Sequence, residues 1–107
     1  MRALLAILAL ALAGGVHAAG NAASGKAKAA EVCIACHGAD GAKPSTPDQP
    51  ILAGQHYDYL VRALTDYKTG ARANPIMKGF AATLSKQDIE NLAAWFASQK
   101  SPLHDQR

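Results

Sequence analysis

The chain has 107 residues, 50% of them hydrophobic and 18% charged, and a formal charge of +3 from 11 Lys plus Arg against 8 Asp plus Glu. That length is one domain on ordinary size priors. No basic run exceeds two residues, and so small an excess of charge is not that of a phosphate-neutralising surface, so nucleic acid is excluded as a partner.

The first elements are those of an export signal. Met1-Arg2 supply a positive start, Ala3 to Ala13 are unbroken apolar, Gly14-Gly15 interrupt the run, and Val16-His17-Ala18 present small residues at the positions read before a cut. A secretory signal peptide over residues 1–18, cleaved after Ala18, is predicted. The apolar run is well short of the ~20 residues that span a bilayer, which counts against an uncleaved anchor. Taking 18 residues from 107 leaves 89, residues 19–107, as a single domain whose charge falls to +2 with the loss of Arg2. A domain of that size commonly needs a staple or a cofactor. Export would place it in the periplasm.

Asn21 to Ala35 is predicted as the first helix, Ala- and Lys-rich, with Asn21 or Ser24 as its cap and Gly38 as a left-handed stop. Gly25 is costly inside it, implying a late start or a close backbone contact. Residues 39–53 carry Pro44, Pro47 and Pro50 without periodicity and read as a loop that wraps something. Gly54 to Thr69 is predicted as the second helix. Tyr57, Leu60, Val61, Leu64 and Tyr67 share one face; Asp58, Arg62, Asp66 and Lys68 lie opposite, in water; and Gly70 is the stop. Ala71 to Leu84 reads as another loop, containing Pro75-Ile76-Met77. Ser85-Lys86-Gln87-Asp88 has the form of a capping box. It opens a third helix with Ile89, Leu92, Ala93 and Phe96 in one stripe, Trp95 at its edge, and Lys100 and Pro102 closing it. Nothing alternates like a strand. The fold class is all-α, about three main helices around a prosthetic group.

The chemistry is concentrated in Cys33-Ile34-Ala35-Cys36-His37. Two thiols three apart followed by an imidazole read as a c-type haem attachment site. On a helical turn, residues three and four apart share a face, so two thioether bonds and one nitrogen ligand can converge on one flat group. Zinc normally takes four ligands; with two cysteines the chain would have to recruit His56 and His104, which lack the usual spacing. A thioredoxin-like pair would want a preceding strand, where this chain has a helix, and a plain disulfide leaves His37 unexplained.

With His37 on one axial face of the iron, the other ligand decides the chemistry: a sixth protein ligand favours electron transfer, an open position favours binding or activating small molecules. Met77 is the only methionine besides the initiator. It lies forty residues after His37, just beyond a proline. A thioether there stabilises ferrous iron relative to a second imidazole. The competing role is gap-filling in an apolar core. His56, at a helix start, is the rival ligand, and His104 belongs to a solvated tail.

These residues, with Pro50-Ile51-Leu52-Ala53-Gly54, Asn74-Pro75-Ile76-Met77 and Leu92 to Phe96, make residues 22 to 100 resemble a class I c-type cytochrome. The chain is similar to small bacterial periplasmic members and to one half of the tandem two-haem ones. The resemblance implies the class I cytochrome c fold around one covalently attached haem c. It implies that Gly25 meets Trp95 where the first and last helices cross, and that the Pro50 carbonyl accepts the proton on the His37 ring nitrogen that is not on the iron. Leu64 and Tyr67 would line the haem pocket. No second Cys-x-x-Cys-His is present, so a single haem is expected.

The function expected is one-electron transfer with His37/Met77 ligation, docking to acidic surfaces of redox proteins, as a monomer or in transient complexes and with no catalytic residues. Lys26, Lys28, Lys43, Arg72 and Lys78 are candidate steering charges, or simply solvating ones. The alternative is a haem-bearing subunit of a larger periplasmic oxidoreductase complex. A peroxidase or gas sensor would need iron free of Met77 and an acid–base group, for which His56 is the one candidate at neutral pH.

Overall fold

The computed structural model describes residues 20–103; the expected signal peptide and His104 lie outside the described residues. Among those described there are five helices and no strand: α1 (Ala22–Val32), α2 (Ile34–His37), α3 (Tyr57–Thr69), α4 (Pro75–Ala81) and α5 (Lys86–Ala97). The all-α reading holds, with α1, α3 and α5 as its three main helices.

α1 starts on Asn21, whose side chain accepts the Ser24 amide proton at 2.9 Å while its own N–H donates to Asn91 Oδ1 at 2.8 Å. One residue therefore caps α1 and ties it to α5. The helix stops three residues earlier than its Ala-rich composition suggests. Cys33 departs from helical geometry at φ −117°, and the chain resumes as the single turn α2. Gly38 does take a positive φ of 88°, but with ψ 162°, so it leads out in an extended direction rather than a left-handed turn.

Gly25 explains the crossing of α1 and α5. A Cβ added there would lie 1.9 Å from the Asn91 carbonyl oxygen and 2.9 Å from Trp95 Cβ. The two backbones thus approach too closely for any side chain, which is the contact a lone helical glycine signals. Around this crossing sits the core: Ala29, Leu60, Ala81, Leu84, Ile89, Leu92, Ala93 and Phe96, with Tyr57, Val61, Leu64, Tyr67 and Trp95 partly buried against it. The α5 stripe is the most deeply buried part, consistent with its 3.6-residue spacing.

α3 begins at Tyr57 rather than Gly54 and ends on Gly70 in the left-handed conformation, φ 87° and ψ 2°. α5 opens with the predicted box: Ser85 Oγ accepts the Asp88 amide proton and Asp88 Oδ2 accepts that of Ser85, both at 3.0 Å. It ends at Ala97 with Ser98 as cap, before Lys100.

Two further expectations are corrected. The segment 71–84 is not a loop throughout, because residues 75–81 form α4 and Met77 sits in its first turn. Asn74 caps this helix and Pro75 occupies its first position, where a missing N–H costs nothing. Met77, Phe80, Ala81 and Leu84 then follow helical spacing, with Ala81 and Leu84 buried, Met77 half-buried and Phe80 43% exposed. The second correction is Lys68: its ammonium is not simply solvated but donates to the Leu84 carbonyl, joining α3 to the end of the α4 segment.

Candidate haem-binding site

The helices leave an apolar cleft of about 170 Å³ between the Cys33–His37 turn, the loop 48–52, one face of α3, the inner face of α4 and the α5 stripe. Cys33 and Cys36 reach it because α2 is one helical turn, which puts both thiols and His37 on the same wall. Both thiols are free of disulfide and half-buried. Burial pushes the Cys33 thiol up to about 11, against the opposing pull of the Lys28 ammonium. A thiol held neutral in this way is a poor nucleophile.

His37 is the only buried polar or charged side chain among the described residues, with 6% of its surface exposed. Its Nδ1 lies 2.9 Å from the Pro50 carbonyl oxygen. A carbonyl only accepts, so Nδ1 carries a proton, and in the neutral ring the lone pair is left on Nε2. The loop that brings Pro50 here is itself fastened. Ser45 N donates to the Cys36 carbonyl at 2.9 Å and Ser45 Oγ to that of Ala35 at 2.7 Å. Further on, Leu52 N donates to the Gly41 carbonyl at 2.8 Å, and Gly54 N to that of Phe96 at 2.9 Å. The proline-rich stretch is therefore a strap between the Cys-x-x-Cys-His turn and α5.

Leu64 and Tyr67 reach the same cleft from α3, and Met77 from α4. All seven residues singled out in the sequence (Cys33, Cys36, His37, Pro50, Leu64, Tyr67 and Met77) thus line one cleft. His56 does not; it is exposed at the start of α3. Asn74 and Ile76, quoted in the sequence only among the residues that carry the resemblance, also line the cleft, as does Phe80, which was not singled out and for which the helical spacing from Met77 to Leu84 was the signal available.

Among the described residues, no three His, Cys, Asp or Glu side chains cluster as a bare metal-ion set. The donor set is instead two thiols and one buried imidazole on an otherwise apolar wall, and it fits a flat, apolar macrocycle bearing its own iron. Residues 20–96 match the family described as cytochrome c oxidase, cbb3-type, subunit III. The chain is 39% identical over 85 residues to cytochrome c-554(548) of Halomonas halodenitrificans, covering 77% of this chain and all of that one. The chain belongs to the class I c-type cytochromes.

Other relatives are longer. Cytochrome c4 of Pseudomonas aeruginosa is 53% identical over 94 residues, covering 88% of this chain and 46% of the relative. The crystal structure of reduced recombinant cytochrome c4 from Pseudomonas stutzeri superposes with a TM-score of 0.72 at 41% identity, over 79% of this chain and 48% of that one. The chain therefore spans about half the length of the cytochrome c4 relatives it matches. The fold is that of class I cytochromes c, the family's prosthetic group is covalently bound haem c, and one haem fits the single cleft-bearing domain described here.

Proposed function

We propose that this cytochrome is a periplasmic carrier of single electrons, with Cys33 and Cys36 in thioether linkage to the haem and His37 and Met77 as its axial ligands. The observation that carries the reading is the convergence of two thiols, a tautomer-fixed imidazole and a thioether on one apolar cleft. When bound, the haem supplies a reversible ferric/ferrous couple.

The protein residues set the terms of that couple. The Pro50 carbonyl holds the His37 ring proton, which orients the ring and raises the basicity of Nε2 toward iron. Met77 would supply a soft sulfur to the iron, which favours the reduced state and leaves no open position for small molecules. Leu64 and Tyr67, which line the cleft, would keep water from a bound haem, so that its change of charge would meet little solvent rearrangement. His56, the acid–base candidate of an enzyme reading, stands outside the cleft, which supports a carrier over a catalyst.

Location in the periplasm rests on the signal-like residues 1–18. Among the described residues no helix is long and apolar enough to cross a membrane. Partners are redox proteins presenting acidic docking surfaces. Of the candidate steering charges, Lys28 pairs with Glu31 at 3.5 Å, Lys26 lies 5.5 Å from the Trp95 ring centroid and Arg72 lies 4.8 Å from that of Tyr67. Lys43 and Lys78 are exposed and carry the steering role best.

The description of the matched family as an oxidase subunit favours one second reading: a haem-bearing subunit held in a larger oxidoreductase complex. Optical spectra of the exported protein, oxidised and reduced, with and without carbon monoxide, test the ligation. Sharp c-type bands, the weak far-red band of sulfur-ligated ferric iron and indifference to carbon monoxide are expected; a reduced spectrum shifted by the gas overturns it. Gel filtration of a native periplasmic extract separates free carrier from subunit by the size at which the haem elutes.

A further inference from the structure

α4 has seven residues, too few to be stable on their own. Its packing is concentrated at the far end, where Ala81 is fully buried and Leu84, just beyond, is 3% exposed. The end that bears Met77 is different. Ile76 is 69% exposed and Met77 itself is only half-buried. What fixes this first turn is Asn74: its Oδ1 accepts the amide protons of Ile76 at 3.1 Å and of Met77 at 3.0 Å. Its backbone carbonyl accepts that of Lys78 at 2.8 Å. Pro75, which has no N–H, needs no partner.

We propose that Asn74 is a positioning residue for the Met77 thioether, holding the Met77 backbone at the cleft by a direct hydrogen bond to its amide. The proposal rests on the reading of Met77 as an axial ligand. A thioether is a weak, neutral ligand, so its hold on iron depends on how little the chain must rearrange to keep sulfur in place. Tertiary packing anchors the C-terminal end of α4, and the Asn74 side chain anchors the end that carries the ligand. Without it the first turn frays, and Met77 leaves more often while both thioether links and the His37 side stay as they are.

The test compares Asn74→Ala, Asn74→Ser, Asn74→Asp and the parent, all as haem-bearing protein. In Asn74→Ala the reduced form is expected to bind carbon monoxide roughly fivefold faster, the Boltzmann equivalent of one lost helix cap. The far-red ferric band should weaken, and hydrogen exchange at the Met77 amide should accelerate by a similar factor. Ser or Asp, both good caps, should restore the carbon monoxide rate. An unchanged rate and band in Asn74→Ala overturn the proposal, as does failure of both Ser and Asp to rescue. A far-red band lost only in step with global unfolding in guanidinium reduces Asn74 to a structural role and also overturns it. If the parent itself lacks the far-red band, the Met77 ligation has failed, and that outcome is told apart because no Asn74 variant is needed to see it.

Discussion

Gly25→Ala should destabilise the protein although it places a better helix former in α1. At an ordinary helical position the exchange would gain about 1 kcal/mol. Here the new methyl would lie 1.9 Å from the Asn91 carbonyl oxygen, where unstrained contact begins near 3.4 Å, so α1 and α5 must separate by roughly 1.5 Å. The obstacle is backbone, which no rotamer change relieves. The separation opens the packing of Ala29 against Leu92 and Ala93, all fully buried. Overpacking of this kind costs about 3 kcal/mol at the upper end of its usual range, leaving a net loss of about 2 kcal/mol. With an m-value of roughly 2 kcal/mol/M for a domain this small, the guanidinium midpoint of the haem-bearing protein should fall by about 1 M, read by far-UV circular dichroism. Gly79→Ala is the matched control. Nothing lies within 4 Å of its added methyl, so it should raise stability by about 0.5–1 kcal/mol. A Gly25→Ala protein as stable as the parent would refute the crossing argument.

Met77→Ala should keep its covalent haem, show a lower reduction potential by redox titration and bind carbon monoxide in the reduced state; an unchanged potential without gas binding would remove Met77 from the iron. Cys36→Ser should sharply reduce the yield of covalent holoprotein, measured by haem staining after denaturing electrophoresis, because one of the two thioether links is gone and attachment precedes folding around the haem. Asp88→Ala should cost about 1 kcal/mol at pH 7 through loss of the capping box. The Ser85 backbone N–H, above all, holds the Asp88 carboxyl below its usual 3.8, so this contribution is present above that pH and is lost as pH falls through the lower folded value. Guanidinium midpoints of parent and Asp88→Ala should therefore converge in acid, and a gap that persists well below pH 3.8 would contradict the assignment.

The three long helices were legible because each signals itself locally: Asn21 and the Ser85–Asp88 box as starts, Gly70 as a stop, and the apolar stripes of α3 and α5 between them. The cysteine–histidine turn was legible for the same reason, since its chemistry is complete within five residues. α4 was missed because Asn74-Pro75 is equally the opening of a turn, and only the spacing of Met77, Phe80, Ala81 and Leu84 distinguishes a helix. The bond from Pro50 to His37 was reached through family resemblance, not from the residues themselves: nothing in a proline-rich loop says which carbonyl will face a ring thirteen positions earlier. The Lys68–Leu84 contact had no sequence signal at all, because a lysine on a solvated face looks the same whether or not its ammonium finds a carbonyl sixteen residues on.

These differences in legibility follow the construction of the site. The His37 side is local: thiols and imidazole share one turn, and the strap through Ser45, Gly41 and Leu52 fixes the Pro50 carbonyl behind them. The Met77 side is assembled from a separate short helix, capped at one end by Asn74 and tied at the other through Leu84 to Lys68. On the proposed ligation, damage to the first side costs attachment of the haem, whereas damage to the second leaves it attached and alters only its sixth ligand. Variation along residues 74–84 is then the economical route by which this fold would pass from closed electron carrier to gas-binding protein. Replacing Met77 and Asn74 together should move it no further than replacing Met77, with carbon monoxide binding no faster than in Met77→Ala alone. Once the sulfur is gone, the cap has nothing left to position, and a further acceleration in the double variant would show that Asn74 acts on the cleft by some path other than Met77.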